Sequence, residues 1–202
     1  MTDLHTQNIQ CHNAVLAALG ADVSAKSVKT NFGHDRNGAM CTVFFKNKKA
    51  FEFHDDGWGG ESEVNPLDKA AYQSIVELAK EKNIAQILFD NGWGFMKTVD
   101  AICLHTVMAN IAESLIYKHT SDASMKKIMK RTEKAFVIIN GNKDTYIELG
   151  FKGNLLLSDV KKHPKGVEFL TRRHADALAR AKEEGMTLLN TPEQLKALGI
   201  VA

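Results

Sequence analysis

Between residues 26 and 56 the hydrophobic period is two. Three runs carry it, "KSVKTNFG", "AMCTVFFKN" and "KAFEFHDD", and in the last Phe51 and Phe53 alternate with Glu52 and His54. Such alternation puts one face of a strand in a core and the other in water. The second and third runs are joined by "KNKK", which leaves room only for a tight antiparallel turn around Asn47. A sheet with one apolar face must be covered, and the flanking segments have the period to cover it. In "IQCHNAVLAALGADV", Ile9, Val15, Leu16 and Leu19 recur at helical spacing, and Gly20 marks a stop. After Pro66, the residues Ala70, Ala71, Ile75, Leu78 and Ala79 form the stripe of a second helix over about 67–82.

Beyond it, "IAQILFDNGWGF" fits either a short strand or a helical turn. Thr98 is expected to cap a central helix running to about Lys118, with Leu104, Val107, Met108, Ile111 and Leu115 inward and Ala109, Ala112 and Ile116 widening the stripe. "SDASMKKIMKRTEK" reads as a separate short basic helix with Met125, Ile128 and Met129 inward. "KAFVIING", "NKDT" and "YIELGF" read as a hairpin. A long helix from about Lys165 stops at Gly185, its apolar stripe Val167, Leu170, His174, Leu178 and Ala181. "TPEQLKALG" closes the chain as a helix with Thr191 as cap, Gln194 in the capping-box position and Gly199 as stop. The expected fold class is therefore α+β: N-terminal helix, three-stranded antiparallel meander and helix, then a central long helix, a basic helix, a β-hairpin and C-terminal helices. Nothing resembles a flexible linker, so residues 1–202 read as one compact unit, with the best internal boundary near 93–97.

The formal charge of +2 conceals segregation. Residues 50–117 balance to −7 and residues 118–173 to +7. Strong segregation of this sort suits either a polyanion or complementary protein surfaces. The three cysteines, Cys11, Cys41 and Cys103, form no CxxC pair, which points to free thiols in a reducing compartment and to a cytoplasmic protein. No signal peptide or membrane span is read: polar residues interrupt the N-terminal segment, and the apolar run 101–112 is too short to cross a bilayer.

Both tryptophans sit in glycine turns, "DDGWGG" and "DNGWGF". The first continues into "HDDGWGGESE", where His54, Asp55, Asp56, Glu61 and Glu63 offer hard ligands for a divalent cation and hence metal-assisted hydrolysis. The spacing matches no metal motif, and Asp55 and Asp56 also suit ordinary side-chain-to-backbone turn bonds. Trp58 is expected exposed and partner-facing, Trp93 a core anchor. The pairs Cys11–His12, His34–Cys41 and Cys103–His105 lack the convergence a zinc site needs, and Cys103 and His105 read as core residues. His174 reads as a satisfied core histidine. There is no Walker, Rossmann, G-x-S-x-G or kinase signature, so no cofactor and no catalytic residue set is assigned.

The basic residues carry the leading functional reading. Lys126, Lys127, Lys130, Arg131 and Lys134, then Lys161, Lys162, Arg172 and Arg173, could neutralise phosphates, with Phe169 placed beside the arginines to stack on a base. The pairs Arg172–Asp176 and Asp176–Arg180, four residues apart, also suit a plain solvated helix face. The helix, three-strand, helix order over residues 8–82 resembles that of a double-stranded-RNA-binding domain. That family opens its second helix with a basic cluster, where "GESEVNPLDKAAYQ" is acidic with Lys69 alone, so the likeness stops at element order. The expected function is a non-catalytic nucleic-acid-binding or regulatory protein acting through residues 118–173. The alternatives are an interaction, assembly or inhibitor module whose acidic and basic segments engage a protein partner or further copies in a homo-oligomer, and a metal-dependent hydrolase centred on His54, Asp55 and Asp56.

Overall fold

A computed structural model describes residues 4–32, 37–58, 60–91, 98–143 and 145–200. The chain is α+β and forms two compact units, Met1–Ser121 and Asp122–Ala202. The seam expected near 93–97 lies outside the described residues.

The first unit opens with α1 (Leu4–Leu19), followed by strands β1 (Val23–Phe32), β2 (Gly38–Phe45), β3 (Lys48–Asp55) and β4 (Glu63–Pro66) in one antiparallel sheet of order β1-β2-β3-β4. The meander therefore has four strands, not three. The extra strand is built from acidic, turn-like sequence, and its pairing of His54 with Glu63 and Phe53 with Val64 comes from β3 offering a free edge. It also separates the fold from the three-strand order of a double-stranded-RNA-binding domain. The β2–β3 turn is as short as expected, with Lys46 and Asn47 both at positive φ, the geometry that matches strand twist. Phe51 and Phe53 are fully buried and Glu52 exposed, as the alternation requires.

Helices α2 (Lys69–Glu81), α3 (Ile84–Asp90) and α4 (Leu104–Arg131) complete the cover, so "IAQILFD" is helical. Asp68 caps α2 by accepting from Ala71 N. Val15 and Leu19 of α1, Ile75 of α2, Leu88 of α3 and Met108 and Ile111 of α4 share a core with Phe51 and Phe53. Two helices were expected where α4 runs unbroken for 28 residues. The polar step "HTSD" holds neither Gly nor Pro, and Thr120 Oγ1 donates back to Ile116 O at 3.1 Å and Tyr117 O at 2.9 Å. Such back-bonding is accommodated within a helix. Thr98 precedes a short 3-10 turn, Val99–Ala101, instead of capping α4. Leu104 and Met129, expected inward, are exposed.

In the second unit the hairpin forms as read, β5 (Ala135–Ile139) with β6 (Tyr146–Gly150), and the two-residue β7 (Thr187–Leu188) extends the sheet to the order β6-β5-β7. Every residue of β5 is buried, because both faces are covered. Ala135, Val137 and Ile139 pack on Ile128 of α4. Phe136 and Ile138 pack on α5 (Leu157–Lys161), α6 (Gly166–Glu183) and α7 (Pro192–Ala197) through Leu157, Leu170, Ala177 and Leu195. Just beyond β7, the buried Asn190 side chain completes the ladder: its Oδ1 accepts from Val137 N at 2.9 Å, and its Nδ2 donates to Thr132 O and Ala135 O, each at 3.1 Å. The Thr191–Gln194 capping box is present, and Gly185 and Gly199 end α6 and α7 at positive φ. The buried stripe of α6 is Leu170, His174, Ala177 and Ala181, whereas Val167 and Leu178 are exposed.

Candidate functional site

The basic residues fall on two faces of the second unit. Side chains alternate along β5, so α4 lies against one face of the sheet and α6 against the other. With Ile128 turned inward, the 100° step of a helix puts Lys126, Lys127 and Lys130 on one outward arc, and all three are exposed. No described residue pairs with any of them. Arg131 is engaged elsewhere: its Nη1 lies 2.7 Å from Glu148 Oε1 on β6, and its guanidinium stands 5.9 Å from the Tyr146 ring centroid. Lys134 follows the helix end, half-buried.

On the other side, Lys161 Nζ donates to Ala197 O at 2.7 Å and Lys162 Nζ pairs with Asp159 at 2.8 Å. Arg173 stacks 5.7 Å from the Phe151 centroid and reaches Asp176 at 3.7 Å. Arg180 approaches Glu184 at 3.9 Å, so neither expected pair of Asp176 forms among the described residues. Phe169 is exposed, tilted against His163 at 6.4 Å, and Arg172 is exposed beside it. The predicted residues thus form two separate basic patches: Lys126, Lys127 and Lys130 of α4 and Arg172 of α6 have no ion-pair partner among the described residues, whereas Arg131, Lys161, Lys162 and Arg173 are engaged.

The acidic turn of the first unit is a pair of Asx turns. Asp55 Oδ1 accepts from Gly57 N at 2.8 Å, and Asp56 Oδ1 from Trp58 N at 2.9 Å. Gly57 has φ 77°, and a Cβ there would lie 2.7 Å from Gly38 N, so the turn is seated on β2. Trp58 is 66% exposed, as the acidic surroundings suggested; Trp93 and His34 lie outside the described residues. Among the described residues no three His, Cys, Asp or Glu side chains converge as a metal site.

Cys103 and His105 are not core residues. Cys103 is exposed and immediately precedes α4, its carbonyl accepting from Val107 N at 3.1 Å. Its Sγ lies 3.3 Å from Thr106 Oγ1, and hydrogen bonding by Thr106 holds the thiol below its usual range. Cys11 and Cys41 are buried as expected, and burial pushes the Cys41 thiol up to about 12. His105 Nε2 donates to Ser62 O at 2.7 Å and lies 3.6 Å from Glu61 Oε1, tying the acidic turn to α4. His174 is a core histidine packed on Phe136, yet its Nε2 meets no partner among the described residues, and burial keeps its pKa low. His12 Nδ1 sits 3.0 Å from Ser114 Oγ, but Ser114 is 0% exposed in mid-helix, so this pair offers no reachable nucleophile.

Sequence reasoning missed one polar assembly. Asp55, Glu61, Ser62, His105, Asn110 and Glu113 line a hollow of about 210 Å³ beside the start of α4. Burial, with Asp55 adding repulsion, pushes the Glu113 carboxyl up to about 7. The available signal was a lone acid inside the apolar stripe "VMANIAESLI".

The architecture is that of a two-unit α+β protein with no helix long and apolar enough to cross a membrane among the described residues. No family model, curated protein or solved structure matches the chain.

Proposed function

We propose that this protein binds nucleic acid without sequence preference, through the lysine arc of α4. The supporting observation is the set Lys126, Lys127 and Lys130: exposed, on one face and unpaired among the described residues, in a unit of net charge +5. Flexible ammonium groups on a helix face suit phosphates, and they carry no base-reading geometry of their own. The α6 patch contributes less, because Lys161, Lys162 and Arg173 already serve carbonyl, carboxylate or ring partners.

The test is anisotropy of labelled duplex DNA against salt. Three phosphate contacts on a duplex correspond to a log–log slope of about −2.7. The K126E/K127E/K130E variant is expected to lose most of that slope, and R172E little. Binding that ignores salt, or that survives the triple reversal, refutes the proposal. Assembly of copies through opposite charges predicts instead that light scattering shows larger species at low salt without nucleic acid.

A further inference from the structure

A second hollow in the first unit has the opposite character to the acidic one. It is a cleft of about 440 Å³ between α2, α3, the 3-10 turn and the start of α4. Buried aliphatic side chains, Val76, Ala79, Ile102 and Val107, form its floor. Leu104, which the period of α4 turns inward, also lines the cleft and is 45% exposed, so the apolar stripe runs out of core there. Among the described residues of the lining there is no acid and no aromatic ring. The polar groups collect on one side. Val76 and Lys80 stack on one face of α2, and Asn83 follows at the left-handed corner into α3, with φ 52°. Lys80 carries the only charge among the described lining residues, is exposed, and has no ion-pair partner among the described residues. The Asn83 side chain makes no capping bond to α3. Gln86 is already committed, its Nε2 donating to Asp90 Oδ1 at 2.7 Å.

We propose that this cleft binds a medium-chain aliphatic carboxylate, its headgroup on Lys80 and Asn83 and its chain along the aliphatic wall. Charge complementarity selects the head: one ammonium and one amide, with no acid in the lining, suit a single carboxylate. A nucleotide brings more charge and polar surface than one lysine and an apolar wall can match. The wall selects the tail, because aliphatic surface gains from burying methylenes and offers no ring for stacking. Size narrows the class further. At ~30 Å³ per water, a cleft of about 440 Å³ holds roughly fifteen waters, room for a chain of about ten carbons and too little for a two-chain lipid. Burial of the chain supplies most of the affinity, and the exposed Lys80 sets its direction. The cleft is independent of the α4 lysines, so failure at either site leaves the other standing.

The experiment is a ¹H–¹⁵N NMR titration of the full chain with sodium octanoate, against hexanoate, acetate and n-octanol at matched ionic strength. Octanoate is expected to bind at about 1 mM. Hexanoate, two methylenes shorter, should bind about tenfold more weakly. Saturable shifts at the Asn83 side-chain amide and the Ala79, Ala85 and Val107 backbone amides support the proposal. Lys80→Glu is expected to weaken binding about tenfold, through loss of the ion pair and like-charge repulsion. Leu104→Gln, also at an exposed position, should weaken it about fivefold. The K126E/K127E/K130E variant should bind octanoate as the wild type does. No saturable shift up to about 20 mM, equal affinity for acetate or n-octanol, unchanged affinity in Lys80→Glu, loss of binding in the triple variant, or shifts spread through both units would each overturn it. Spectra of the free variants report folding separately from binding.

Discussion

Replacing Glu113 by glutamine is expected to stabilise the first unit at neutral and alkaline pH. Burial, with Asp55 adding repulsion, raises the carboxyl from 4.5 to about 7. Below pH 4.5 the folded and unfolded chains both hold the proton, and the residue contributes no pH dependence. Between 4.5 and about 7 the unfolded chain releases it while the folded chain keeps it, so stability falls as pH rises. Above about 7 the loss is complete, and at ~1.4 kcal/mol per pH unit it amounts to about 3 kcal/mol. Glutamine keeps the shape and removes the charge. The groups facing Glu113 are Asp55 from β3, Cys11 from α1, and His105 and Glu61 around the hollow. Both tryptophans lie within Met1–Ser121, so their fluorescence follows this unit during urea unfolding. The two proteins should match at pH 4, and at pH 8 the variant should be more stable by up to about 3 kcal/mol. Equal stability at pH 8, or a carboxyl ¹³C midpoint near 4.5, refutes the reasoning.

Two further outcomes are expected. Gly166→Ala should destabilise the second unit by about 3 kcal/mol in thermal unfolding, because its Cβ would collide with Val160 O and the obstacle is backbone; a change within ~0.5 kcal/mol contradicts the close approach of α5 and α6. In the folded protein one thiol per chain, Cys103, should react rapidly with a disulfide reagent, and Cys103→Ser should abolish that phase; a fast phase surviving in Cys103→Ser would mean that Cys11 or Cys41 is reachable.

Much of the architecture was legible wherever a signal is local. The alternation around Phe51 and Phe53, the Asn47 turn, the Thr191–Gln194 capping box and the glycine stop at Gly185 each encode their structure within a few residues. The errors came where partners are distant. Strand β4 exists because β3 has an edge to pair, and β7 because β5 needs a neighbour that Asn190 then completes. The unbroken course of α4 through the polar step "HTSD" leaves no mark in the hydrophobic periodicity.

The candidate sites divide in the same way. Clustering of Lys126, Lys127 and Lys130 on one arc follows from helical spacing and was readable in advance. Their separation from Arg172 and Arg173 follows from β5 burying both of its faces, which sends α4 and α6 to opposite sides of the sheet. The hollow beside α4 had no linear signature. Asp55, Glu61 and Glu113 span 59 positions of the chain, and they meet because β3, the acidic turn and α4 pack in one unit. Local chemistry specified the elements and their outer faces, while long-range packing buried Glu113 near Asp55, and that burial is what chiefly raises its carboxyl.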